Sequence, residues 1–121
     1  MFAQGMLWRL ASAAMTDQED LEARRRGYWL RRARLMRGIT LADAAVSAGL
    51  SPSSGSTVTL WEQGKRPMKV VQMKRLAARY GVPVGLFTDP PITDDERLAR
   101  AIDEGRQLEQ LTDDSEREDP R

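Results

Sequence analysis

Ser53, Ser54, Ser56, Thr57, Thr59, Leu60, Gln63, Lys65, Arg66 and Lys69 fall close together in one stretch of the chain. Hydroxyls and one amide come first, and three cations follow. Hydroxyls and amides exchange hydrogen bonds with base edges or phosphate oxygens, Leu60 suits a thymine methyl, and lysine and arginine hold phosphates. Bidentate donors are scarce among the front residues, so affinity is expected to lean on phosphates and duplex shape more than on rich base reading. Gly55 joins the same edge by position, and the run Arg24-Arg25-Arg26 reads as a basic arm for a neighbouring phosphate or minor groove. For the hydroxyls the competing reading is local: Ser54 or Ser56 caps a helix, and the others satisfy the turn.

The charge map points the same way. The 121 residues carry a formal charge of only +1. Residues 24–80 hold thirteen basic side chains against Asp43 and Glu62 alone, a net of +11, while residues 1–23 net −3 and residues 81–121 net −7. A block this one-sided is an electrostatic footprint for a polyanion, although a solvated face has the same composition. There is no cysteine and no histidine. Disulfides, thiol and imidazole catalysis, and zinc sites of Cys and His are therefore excluded. Neither a glycine-rich phosphate loop nor a convergent set of carboxylates outside the acidic tail is present, so an enzyme is not expected, and no cofactor or metal either. No apolar run reaches the ~20 residues that span a bilayer. Residues 1–16 read as a flexible leader rather than a signal peptide, with Met15 as an alternative start, and the protein is expected in the cytoplasm.

Helices must position these side chains, because no segment alternates as a strand does. Thr16 or Asp17 opens a helix to about Arg37, in which Leu30, Ala33 and Met36 are candidates for a core, Gly27 marks a kink or a break, and Gly38 ends it. Thr40 caps a second helix, Leu41 to Ala48, rich in alanine for close packing. Gly49 and the serine-rich run form a turn, and a third helix follows to about Gln63, with Val58 and Trp61 inward and Ser56, Thr57, Leu60 and Gln63 outward. A fourth helix covers Met68 to Tyr80, with Val71, Met73, Leu76, Ala77 and Tyr80 on its inner face. Val82 to Phe87 is a short closing helix or turn. Thr93 and Glu96 form a capping box that opens a last helix to about Leu111. Its stripe Leu98, Ala101, Ile102, Leu108 and Leu111 needs a cover, either the module itself or a second chain. The acidic residues 113–121 read as disordered. The expected organisation is thus a leader at 1–16, a helical domain at 17–88, a linker and helix at 89–112, and a tail at 113–121.

Two helices joined by a short turn inside a compact helical module describe a helix-turn-helix. Leu30 to Phe87, about half the chain, resembles the Cro and phage-repressor (XRE-type) helix-turn-helix family. Leu30-Arg31-Arg32-Ala33-Arg34 is similar to its opening L-R-x-L-R, and Gly38-Ile39-Thr40-Leu41 to its G-[LI]-[ST]-Q. Ala45, Gly49 and Leu50 fall where the family has A…G-[VL]. Val58-Thr59-Leu60-Trp61-Glu62-Gln63-Gly64 resembles I-S-x-[WI]-E-x-G, and Leu76-Ala77-Ala78-Arg79-Tyr80-Gly81-Val82 resembles L-A-x-x-[LY]-[GN]-V. The turn before Val58 is longer than the family's, the loop from Gly64 to Pro67 is shorter, and Leu41 replaces a frequent glutamine.

The resemblance implies an all-α, lambda-repressor-like five-helix DNA-binding domain, followed here by a C-terminal helix. It implies a transcription regulator, a repressor above all, that binds double-stranded DNA as a homodimer on half-sites about 34 Å apart. It also implies an ion pair between Arg34 and Glu62. The alternative is an antitoxin-like or adaptor protein whose acidic C-terminal region binds a protein partner.

Overall fold

The computed structural model describes residues 16–117, with side chains to Leu111. Residues 1–15 of the expected leader, Met15 included, and the last four residues lie outside the described residues. Among the described residues the fold is all helical, without a strand. The chain divides into two units, at residues 1–91 and 92–121.

In the first unit, α1 is Asp17–Met36, α2 Leu41–Ser47, α3 Gly55–Glu62, α4 Val70–Tyr80 and α5 Gly85–Thr88, with a 3₁₀ turn at Pro52–Ser54 between α2 and α3. The helix starts follow from local chemistry. Thr16 Oγ1 accepts from the Glu19 amide at 3.1 Å, and Thr40 Oγ1 accepts from the Asp43 amide at 3.1 Å. Each satisfies a first-turn donor that the helix leaves open. At the start of α4, the Lys69 amide donates to Gln72 Oε1 at 2.9 Å, so this helix opens two residues later than Met68.

The start of α3 differs from the expected serine cap. Ser54 occupies the cap position without a side-chain cap bond, and Ser56 lies inside the helix. The reason is conformational: the 3₁₀ turn runs straight into α3, so Ser54 (φ −91°, ψ 23°) never takes the extended form seen at Thr40 (φ −74°, ψ 162°). Ser54 Oγ meets Ser51 Oγ instead, at 3.1 Å.

α1 packs on α3 and α5, α2 on α3, the 3₁₀ turn and α4, and α4 on α5. Leu30, Val58, Leu76, Tyr80 and Phe87 are the largest fully buried side chains. Burying each such side chain contributes on the order of 1.5–3 kcal/mol. The alanines of α2 do what their size suggests: Ala44, Ala45 and Ala48 are sealed at the crossing with α3 and α4. Two residues leave their expected places. Met36 is 78% exposed and Val71 48% exposed, because each sits at the edge of its helix's inner stripe and turns outward.

Gly27 neither kinks nor breaks α1, which is continuous. It is the contact point with α3: a Cβ there would collide with the Glu62 carbonyl group and stand 2.8 Å from the Trp61 oxygen. Gly64, just after α3, is constrained twice. Its φ is +69°, and a Cβ would lie 3.0 Å from the Arg24 backbone.

The second unit carries α6, Asp94–Arg117. Thr93 Oγ1 accepts from the Glu96 amide at 3.1 Å and faces the Glu96 carboxylate at 3.4 Å. The helix runs six residues beyond the expected end near Leu111. No glycine or proline interrupts 112–117, and the next helix breaker is Pro120.

Candidate nucleic-acid interface

α3 presents two faces. Val58 and Trp61 are 1% and 3% exposed and anchor it to the core. Ser56 and Gln63 are exposed, and Thr57, Thr59 and Leu60 are half-buried. In the turn before it, Ser53 is exposed and Ser54 half-buried; Ser51 Oγ links both, at 2.8 and 3.1 Å. Beyond its end, Lys65, Arg66 and Lys69 are exposed in the loop to α4. Hydroxyls thus gather at the N-terminal end of α3 and cations follow its C-terminal end. Thr59 stands apart, since its hydroxyl donates to the Gly55 carbonyl at 3.2 Å and keeps only acceptor capacity.

What fixes α3 in place is a two-pronged ion pair. Arg34 Nε donates to Glu62 Oε2 at 2.6 Å, and a terminal guanidinium nitrogen donates to Oε1 at 3.0 Å. The third prong of Arg34 donates to the Ile39 carbonyl at 3.0 Å. The two side chains are 11% and 6% exposed. The hydrogen bond to Glu62 raises the Arg34 pKa above the ordinary arginine value, against the effect of burial. A planar fork on a carboxylate sets orientation as well as distance. With Gly27 against Glu62, it holds the α1–α3 crossing at a defined angle.

Three more arginines of the basic block each bond to the last carbonyl of a helix or one close to it, Arg26 half-buried and Arg37 and Arg75 still exposed. Arg26 Nε donates to the Phe87 carbonyl at 2.6 Å, Arg37 Nε to Tyr80 at 2.7 Å, and an Arg75 nitrogen to Ala48 at 3.2 Å. Helix C-termini leave carbonyls unsatisfied and carry partial negative charge, so cations belong there. Burial lowers the Arg26 pKa, partly offset by Glu22. A count of charges does not reveal these contacts. The basic arm at Arg24-Arg25-Arg26 is therefore split: Arg26 turns in, and Arg24 pairs with Asp20 at 3.3 Å on the surface.

A family model for a helix-turn-helix domain matches residues 27–87, half of the chain. The chain belongs to the helix-turn-helix domain family. The match runs from the glycine at the α1–α3 contact to the phenylalanine whose carbonyl Arg26 holds. No curated protein matches the chain. In helix-turn-helix terms, α2 is the supporting helix and α3 takes the place of the recognition helix. Domains of this family are DNA-binding modules and typically not enzymes. Among the described residues no His, Cys, Asp and Glu cluster could hold a metal, and no helix is long and apolar enough to cross a membrane.

Proposed function

We propose that this helix-turn-helix protein is a sequence-specific transcription regulator of the Cro and phage-repressor (XRE-type) kind, acting in the cytoplasm as a dimeric repressor. The observation that carries the reading is the arrangement of α3. Its first turn leaves Ser56 exposed and Thr57 half-buried, its inner face is fixed by Trp61 and the Arg34–Glu62 fork, and Lys65, Arg66 and Lys69 follow it in the open. A rigid helix that shows small hydroxyls at its tip fits a major groove about 12 Å wide. Ser53 and Ser54 donate to a flanking phosphate, Leu60 meets a thymine methyl, and Thr59 and Gln63 complete the edge as acceptor and amide. The three loop cations hold the backbone.

In this reading residues 17–88 bind DNA and α6 makes the dimer. Leu98, Ile102, Leu108 and Leu111 are 48–65% exposed along α6, which is far more aliphatic surface than one solvated helix needs. Two copies joined there address half-sites one helical turn apart. A second reading, an adaptor whose acidic C-terminal helix seats a protein partner, uses the same face, since acids flank these leucines.

Binding of the full chain to random duplex over a range of salt separates the two. A regulator loses affinity steeply as salt rises, in proportion to the phosphates it neutralises, whereas a flat response favours the adaptor. Selection of bound fragments then supplies an operator. On it, Ser56→Ala or Thr57→Ala is expected to change which base is preferred, by about 1–3 kcal/mol for each base edge left unread. An unchanged preference would place the reading surface elsewhere, with the serine turn next in line.

A further inference from the structure

α1 begins at Asp17, well ahead of residue 27, where the match to the helix-turn-helix family starts. The added turns run beside the end of α3. A Cβ on Gly64, the residue before Lys65, would lie 3.0 Å from the Arg24 Cα and 3.0 Å from the Arg24 amide nitrogen. Gly64 and Ala23 are both buried at this contact. Consecutive Cα atoms are about 3.8 Å apart, so the Arg24 and Lys65 side chains start within roughly 9 Å of each other. Only the backbone of Arg24 makes the contact. Its side chain is 62% exposed and pairs with Asp20, itself 50% exposed, at 3.3 Å. Beside the loop that carries Lys65 and Arg66 there is thus another exposed cation, held by a carboxylate one turn back on its own helix.

We propose that Arg24 is a further phosphate contact of the DNA interface, and that Asp20 competes with the phosphate for it. The inference rests on the reading of α3 and its loop as the duplex-facing edge. In the free protein Arg24 stays with Asp20. On a duplex its guanidinium moves to a backbone phosphate near those held by Lys65 and Arg66. The exchange costs little, because an exposed i,i+4 pair holds its partners weakly. A phosphate accepts the planar guanidinium fork as a carboxylate does. One strand of a duplex carries a charge every ~3.4 Å along its axis, so two cations that start this close find separate phosphates. Arg24 lies on α1 rather than α3, and a phosphate contact carries no base information, so it adds affinity for every sequence alike. Asp20 tunes that gain: its charge stays near the phosphate after the exchange and opposes it. Arg26, two residues on, is held by the Phe87 carbonyl and takes no part.

The test measures binding of the full chain to labelled random duplex by fluorescence anisotropy at several salt concentrations. Arg24→Ala leaves the backbone contact with Gly64 in place, so its melting temperature should match that of the parent chain. Its affinity should fall about three- to tenfold near 0.1 M salt, and the salt slope should shrink by about one. Arg24→Lys keeps the charge and should keep the slope. Asp20→Asn should raise affinity about twofold, the factor that an exposed i,i+4 pair is worth. That gain should shrink when the change is combined with Arg24→Ala. On a selected operator none of these variants should change the preferred base. The proposal is overturned if Arg24→Ala leaves affinity and slope unchanged, if the gain from Asp20→Asn is as large without Arg24 as with it, or if base preference shifts. Lys65→Ala with Arg66→Ala on the same duplex separates the two levels. If that pair weakens binding and Arg24→Ala does not, Arg24 alone is struck from the interface. If neither weakens it, the duplex-facing reading of α3 fails and this contact falls with it.

Discussion

Two sets of cations share the basic middle of the chain. Arg26, Arg34, Arg37 and Arg75 donate to a carboxylate or to carbonyls at helix ends, although Arg37 and Arg75 stay exposed. Lys65, Arg66 and Lys69 stand in water after α3. In sequence the two sets are indistinguishable, since both belong to the same block of thirteen bases. In the structure the first set ties α1 to α3, α4 and α5 and ties α4 to α2, while the second has no such duty. A charge block therefore overstates an electrostatic footprint by whatever fraction of it closes the fold. It also explains how so small a core holds five short helices: each arginine joins elements far apart in the chain.

The sharpest way to break this contrast is Glu62→Ala. Arg34 would keep only the Ile39 carbonyl and remain a buried charge without its counter-ion. Removing one partner of such a pair costs about 3–5 kcal/mol. Urea unfolding measures the loss, and a change below about 1 kcal/mol would show a pair no stronger than a surface one. Next comes Gly27→Ala, a single methyl aimed at the Glu62 carbonyl. Overpacking of this kind costs about 1–3 kcal/mol. Elsewhere in a helix the same exchange stabilises, so the sign of the effect reports the crossing itself.

A good part of this architecture is legible in the sequence. Thr16, Thr40 and Thr93 announce helix starts by side-chain chemistry that acts over three residues. Val58 and Trp61, three apart, read as an inward pair and are buried. What escapes is whatever depends on a distant partner. Arg26, Arg37 and Arg75 meet carbonyls 61, 43 and 27 residues away, and no local pattern marks them. Gly27 reads as a kink because the backbone it accommodates comes from α3. Met36 and Val71 lie at stripe edges, where periodicity cannot separate inside from outside. The acidic end of α6 reads as disordered by composition, yet residues 112–117 are helical. In the site, the turn residues are legible as a group, but the 3₁₀ turn that replaces a serine cap is not.

The outer cations test the other half of the contrast. Lys65→Ala with Arg66→Ala should leave stability within about 0.5 kcal/mol, as exposed substitutions usually do. Affinity for duplex should fall for all sequences alike, and the salt slope should shrink by about one for each phosphate no longer neutralised. Thermal melting and anisotropy at several salt concentrations measure both. A drop in stability without a change in slope would move these residues into the structural set.

The smallest effect at neutral pH belongs to Tyr80, which sits beside the first set. Its carbonyl takes Arg37, and its ring is fully buried against Phe87, edge-on at 6.2 Å. Its hydroxyl is buried with no hydrogen-bond partner among the described residues. Burial, helped by the charge of Glu62 and opposed by Arg34 and Arg79, raises its pKa above the ordinary tyrosine value. The folded state therefore holds the neutral phenol while the unfolded chain ionises from about pH 10. Stability is complete below that pH and falls as pH rises, by up to about 1.4 kcal/mol per unit, until the folded-state pKa is reached. Tyr80→Phe removes the ionisation and the orphan hydroxyl together, so it should be near neutral at pH 7. Under alkaline conditions it should unfold at higher urea than the parent chain, with a gap that widens between about pH 9 and pH 11. Only the difference between the two curves reports Tyr80. A constant gap would mean that water reaches the phenol, and with it the carboxylate of Glu62 that holds α3 to α1.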